Sequence, residues 1–228
     1  LTDDPDEKVR SSAIWALKRW ADGHGSEKYR SLEAIMTALQ NNPYSQVRVT
    51  AAGALRQLGN RKATDVLIQC LTKERKPEVR SAIISALRQF QDERSVEPLI
   101  KVLKTDRNKS VRLEAVKSLK GLNNARAVKP LIKIVRKHSG PLRSNAIMAL
   151  GNMQDARAVK PLIDVIEDES NKYHRKLAVT ALGKIADPRA LRYLHDIQDK
   201  DAERYKYLEN DIRQSIARTK RASRVNTD

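Results

Sequence analysis

Few residues in this chain have the types that do chemistry, and their spacing keeps them apart. The histidines are His24, His138, His174 and His195, and the one cysteine is Cys70. A zinc or iron centre needs imidazole, thiolate or carboxylate ligands brought to one point. Neither His174 nor His195 has a His or Cys partner at metal-ligand spacing. A lone cysteine excludes an internal disulfide and a Cys-rich zinc site, and it fits a reducing compartment, cytoplasmic or nuclear. No glycine-rich phosphate loop or nucleophile elbow occurs. No catalytic, cofactor-binding or metal-ligating residue is therefore assigned, and a non-enzymatic role is expected.

What the chain has in abundance is positive charge. Forty-five Lys and Arg face 28 Asp and Glu, for a formal net charge of +17 across 228 residues. The excess is concentrated in the middle of the sequence. A field of that size draws polyanions: nucleic acid, acidic proteins or an anionic surface. Apolar residues make up 40% and aromatics 4%, so a core would be built from Leu, Ile, Val and Ala. No apolar run approaches the roughly 18 residues that span a bilayer. The opening LTDDPDEKVR has neither a Met nor a secretory signal, so a fragment or processed form is expected.

These residues are positioned by a repeat. Ala125–Ile132, ARAVKPLI, returns letter for letter at Ala156–Ile163. Weaker copies are SVEPLIKVL (Ser95–Leu103), ATDVLIQCL (Ala63–Leu71), SLEAIMTAL (Ser31–Leu39) and ALRYLHDI (Ala190–Ile197), with a period of 31–32 residues. A second phrase alternates with the first, as in VRSAIISAL, and its arginines are Arg10, Arg48, Arg80, Arg112, Arg143 and Arg175. An insertion around Ala21–Lys28 lengthens the first gap.

Both phrases predict helices. Val96, Leu99, Ile100, Val102 and Leu103 recur at spacings of three and four, which puts them on one face. Pro98, Pro130 and Pro161 fit the start of that helix, and Asp92, Asn124, Asp155 and Asp187 fit caps or turns before it. In the second helix, small or apolar residues fill positions three, four, six, seven and ten after the arginine, and alanine at three and six lets a neighbour approach. Cys70 shares a core slot with Ala38, Val102, Ile134 and Val165, so an inert buried thiol is expected. A two-helix unit with so narrow an apolar face cannot fold alone, and stacking the units buries a continuous core.

The runs Asp155–Ile163 and Val47–Leu55 resemble the HEAT-like repeats of the phycobilin-lyase type, the variety of about 30 residues. The resemblance covers Pro5 to about Ile197 and implies an all-α fold: a right-handed α-solenoid, or superhelix, of about six stacked two-helix repeats. One module over 1–220 is expected, opening on a second-type helix at 6–21. Helix pairs would follow near 29–58, 63–90, 95–121, 127–153, 158–185 and 189–219, with a basic disordered tail at 221–228. The family includes chromophore lyases and a metal-dependent hydroxylase with His-Glu pairs. Here the residues after the histidines are Gly25, Ser139, Arg175 and Asp196, so the hydroxylase chemistry is not carried over.

The resemblance also implies a concave surface lined by the second helix of each pair. Position eight after the repeat arginine holds Lys18, Arg56, Arg88 and Lys120, then Gly151 and Gly183, where the surface is expected to open. Trp15, Lys117, Lys176 and Thr180 share that face. Trp15, Lys18, Arg56, Arg88, Lys117 and Lys120 thus form a candidate basic ladder for an acidic protein or peptide. The six repeat arginines, with Lys62, Arg94, Arg126, Arg157 and Arg189, are expected to bond helix ends and loop acids such as Asp106 and Asp168. Basic first-type helices (Lys101, Lys104, Lys129, Lys133, Arg136, Lys160) admit nucleic acid as an alternative partner, bound through phosphates without base reading. A phycobilin-lyase-like auxiliary subunit is a further alternative.

Overall fold

The computed structural model describes residues 4, 6–21, 26–168, 171–200 and 203–225, and among these every regular element is helical. The helices are α1 (Glu7–Ala21), α2 (Ser26–Asn41), α3 (Ser45–Leu58), α4 (Thr64–Lys73), α5 (Pro77–Phe90), α6 (Val96–Thr105) and α7 (Lys109–Leu122). They continue as α8 (Val128–Lys137), α9 (Gly140–Met153), α10 (Val159–Glu167), α11 (Lys172–Ile185), α12 (Pro188–Lys200) and α13 (Glu209–Val225). Even-numbered helices carry the first phrase, and the odd-numbered helices from α1 to α11 the second. The all-α repeat architecture is thus borne out.

Each boundary has a local cause. The Oδ1 atoms of Asn60, Asp92, Asn124 and Asp155 accept the backbone N–H two residues on, at 2.9–3.0 Å, and so start a single 3-10 turn. That turn feeds α4, α6, α8 and α10. Pro98, Pro130 and Pro161 are each the third residue of their helix, inside the first turn, where no intrahelical bond needs their N–H. At the other end, α3, α5, α9 and α11 stop on a left-handed residue: Gly59, Gln91, Gln154 and Ala186.

The chain divides into two compact units, Leu1–Ser118 and Leu119–Asp228, with the boundary inside α7. In the first, α1, α3 and α5 pack in succession, backed by α2, α4 and α6. Its core is aliphatic: Leu55, Leu67, Ile83, Ile84, Leu87, Leu99 and Leu103 are all at most 2% exposed. In the second, α9, α11 and α13 pack in succession, backed by α8, α10 and α12. Leu131, Ile147, Leu150, Leu162 and Leu182 are fully buried there. α13 runs through Val225, and residues 226–228 of the expected tail lie outside the described ones.

Candidate binding surface

The repeat arginines are engaged before any ligand arrives. Arg48 grips Glu74 with Nε at 2.8 Å and Nη2 at 3.0 Å, while its Nη1 donates to the Asn42 and Pro43 carbonyls. Arg80 grips Asp106 in the same way, at 2.7 and 2.9 Å, and donates to the carbonyls of Glu74 and Arg75. Each guanidinium therefore ties the end of its own first-type helix to the acid that ends the next one. Arg143 reaches Asp168 at 3.1 Å, and Arg175 Nε donates to the Asp168 carbonyl. Arg112 has two carbonyls, of Asp106 and Arg107, and its Nε is buried without a partner. Arg10 donates to the Asp4 carbonyl and lies 3.7 Å from the Tyr44 ring. Burial works to raise the Glu74 carboxyl, but the Arg48 hydrogen bonds and charge, together with the backbone N–H groups of Lys76 and Arg75, outweigh it and the net shift is downward.

The pre-helix cations close a second set of clasps. Arg94 holds both Asp92 and Asp65, Arg157 holds Asp155, and Arg189 holds Asp187. The Arg94 hydrogen bonds bring the Asp92 carboxyl down to about 2. Lys62 instead lies 4.7 Å from the Tyr29 ring.

The ladder residues of the first unit lie on α1, α3, α5 and α7, but they are not a row of equivalent charges. Trp15 is 40% exposed and Lys18 half-buried. Arg56 is exposed, with Nη1 3.2 Å from Ser85 Oγ on α5. Arg88 and Lys117 converge on one carboxylate, Glu114, at 3.3 and 2.7 Å. Sequence reasoning missed Glu114. Aligning position two of the second phrase finds it, because the other copies have Ser12, Thr50, Ala82, Asn145 and Leu177 there. Lys120 lies in the last turn of α7, in the second unit, and is half-buried.

Position eight points toward the next second-type helix rather than straight into solvent, which corrects the reading of the two glycines. Gly151 and Gly183 are buried. A Cβ on Gly151 would lie 2.8 Å from Ala181 Cα, and one on Gly183 2.6 Å from Ser215 Cβ. Glycine there brings two backbones together and opens no surface. On the same face of α11, Lys176 reaches Asp211 at 3.4 Å, and Thr180 Oγ1 donates to the Lys176 carbonyl.

Cys70 is likewise corrected. It is half-buried, not core, and lines a pocket of about 670 Å³ with Asn42, Arg48, Lys73 and Glu74. Burial, then the Glu74 charge, pushes its thiol up, so it stays protonated and a poor nucleophile. His174 is buried, with Nε2 3.0 Å from Ser144 Oγ and 3.3 Å from the Gly140 carbonyl. His195 lies half-buried in α12, and His24 falls outside the described residues. Among the described residues, no three His, Cys, Asp or Glu side chains gather as metal ligands, and no helix is long and apolar enough to cross a membrane.

Among the described residues, exposed cations also gather away from the ladder. Arg126, Lys129, Lys133, Arg136 and Lys137 are exposed on α8 and the turn before it, and α8 carries no carboxylate.

A family model described as HEAT repeats matches residues 1–88, 32–120, 65–142, 96–173 and 128–209. Among curated proteins there is no significant match. Solved structures of similar fold include an engineered protein, 18% identical, with TM-score 0.57 over 95% of this chain and 66% of that one. A designed armadillo repeat protein in complex with the peptide (KR)4 is 20% identical, with TM-score 0.56 over 81% of this chain and 99% of that one. The complex of CpcE and CpcF of phycocyanin lyase from a strain of Nostoc is 21% identical, with TM-score 0.54 over 92% and 91%.

Proposed function

The chain belongs to the HEAT-repeat family, and from that premise we propose that it is a non-enzymatic binding module for an acidic protein or peptide segment. The segment lies along α1, α3, α5 and α7 of the first unit, against Trp15, Lys18, Arg56, Arg88 and Lys117. What carries this reading is where the carboxylates are. Glu74, Asp65, Asp92, Asp106, Asp155, Asp168 and Asp187 all face arginines of the repeat consensus. The remaining Lys and Arg thus leave an outward field more positive than a mixed surface would carry. The armadillo design named above holds a basic peptide. A surface of the opposite sign selects the opposite ligand.

Calorimetric titration with a glutamate-rich peptide and with (KR)4 tests the reading. Binding of the acidic peptide alone supports it, and equal or absent binding removes it. The pair Arg56→Glu and Arg88→Glu is expected to weaken binding by about tenfold or more, with the helical circular dichroism unchanged. Glu114→Gln frees Arg88 and Lys117 and is expected to tighten it several-fold. Transfer of a bilin to an acceptor by the purified chain would replace the reading with a lyase-like one.

The basic stripe on α8 favours a second reading, phosphate-backbone contact with nucleic acid. Such binding falls steeply with salt, log K dropping by about 0.9 per phosphate neutralised for each tenfold rise in salt. Duplex binding that persists near 100 mM salt and is lost in Lys129→Glu/Lys133→Glu would support it.

A further inference from the structure

α1 exposes a face that α3, α5 and α7 hide. Counted from the repeat arginine, the positions one before and three, six, seven and ten after hold Val79, Ile83, Ala86, Leu87 and Phe90 in α5, each at most 2% exposed. In α1 the same positions hold Val9, Ala13, Ala16, Leu17 and Trp20. Val9 is 48% exposed and Trp20 63%, Ala16 is exposed, and Ala13 and Leu17 are half-buried. The residue types are those of a core, and their surroundings are those of a surface. The opposite side of α1 is ordinary: Arg10, Ile14 and Ala21 are buried, and the helix packs on α2 and α3.

We propose that this face seats one further helix pair of the chain's own repeat pattern, stacked in register. Three observations support that occupant over any other apolar surface. The face continues an interface the chain already makes within each unit, position by position. Arg10 donates to the carbonyl six residues before it, as Arg48, Arg80 and Arg112 do where they hold the end of their own first-type helix. Charge also matches: Asp4 and Asp6 precede α1 and Glu7 is in its first turn, whereas α4, α6 and α8 carry Lys73, Lys104 and Lys137 in their last turns. A first-type helix running antiparallel to α1 brings its basic end to those acids.

Both tryptophans of the chain lie on α1, so the seat reports on itself. Leu1 stands nine residues before Arg10, as Leu71 does before Arg80. Residues 45–70, which hold α3 and all but the end of α4, are therefore grafted directly before Leu1 to extend the register by one pair. The graft is made in a Trp15→Phe chain, leaving Trp20 as the only indole.

The grafted chain is expected to emit further to the blue and to resist acrylamide by about threefold, as for an indole moved from water into apolar packing. Ala16→Arg in the grafted chain is expected to restore quenching. A grafted chain with more helix but Trp20 as quenchable as before overturns the proposal. So does an ungrafted chain that sediments as a dimer with Trp20 already shielded, since the seat then belongs to a second copy.

Discussion

At the scale of single residues, the same consensus arginine does different work in different copies, and mutation should separate them. Removing Arg80 leaves the Asp106 carboxylate, whose side chain is 7% exposed, without its charged partner. Breaking such a pair costs about 3 kcal/mol, discounted to about 2 because Arg80 retains some solvent. Arg112→Ala loses two carbonyl bonds and also removes a buried Nε that has no partner, so about 1 kcal/mol is expected. Urea melts of Arg80→Ala and Arg112→Ala compare them, and a larger loss for Arg112→Ala refutes the ion-pair account. His174 makes a second case. It takes the slot of Val79 and Val111, where burial, aided by the Arg143 charge, lowers its pKa against the pull of the Gly140 carbonyl and Asp168. The unfolded chain takes up a proton near pH 6.5 that the folded chain resists. Stability from this group is therefore complete above about pH 6.5 and is lost as pH falls toward its folded pKa. His174→Val is expected to flatten the fall in melting temperature from about pH 6.5 to 5, and an unchanged slope in the variant would dismiss the effect.

At the scale of the element, three helical glycines with one propensity should give opposite outcomes. A Cβ on Gly53 in α3 meets nothing within 4 Å, so Gly53→Ala is expected to stabilise by about 0.5–1 kcal/mol. Gly183→Ala gains the same propensity but drives its Cβ onto the Ser215 backbone and side chain, and Gly151→Ala does the same to Ala181. Each is expected to lose about 1–3 kcal/mol net. Thermal melts of the three variants settle the signs. These pairs also mark what the sequence makes legible. The helices, their asparagine and aspartate caps and the core stripes repeat, so the period exposes them. Gly151 and Gly183 occupy the slot of Arg56 and Arg88, and a slot alone does not tell which neighbour it faces. The partner of an outward position belongs to the next copy, as Glu114 does for Arg88. The division within α7 leaves no mark for a related reason, because the repeat phrases run through Ser118 without a break.

At the scale of the whole molecule, two electrostatic effects compete, and their different burial decides which one salt reveals. The Arg48 and Arg80 clasps are largely enclosed, with side chains 14% and 15% exposed and their acids 9% and 7%. Ions screen such pairs weakly. The surplus of +17 is carried by exposed Lys and Arg, whose mutual repulsion ions screen well. Added salt should therefore raise the melting temperature between about 10 and 300 mM, the reverse of a protein held by surface pairs. A polyanion should do the same at low salt by binding the folded state, with a gain that grows with the logarithm of its concentration. Polyglutamate is expected to raise the melting temperature and polylysine to leave it unchanged, with the difference closing as salt increases. If salt alone lowers the melting temperature, the clasps are more exposed to screening than their burial implies, and the outward field is weaker than the proposed function requires.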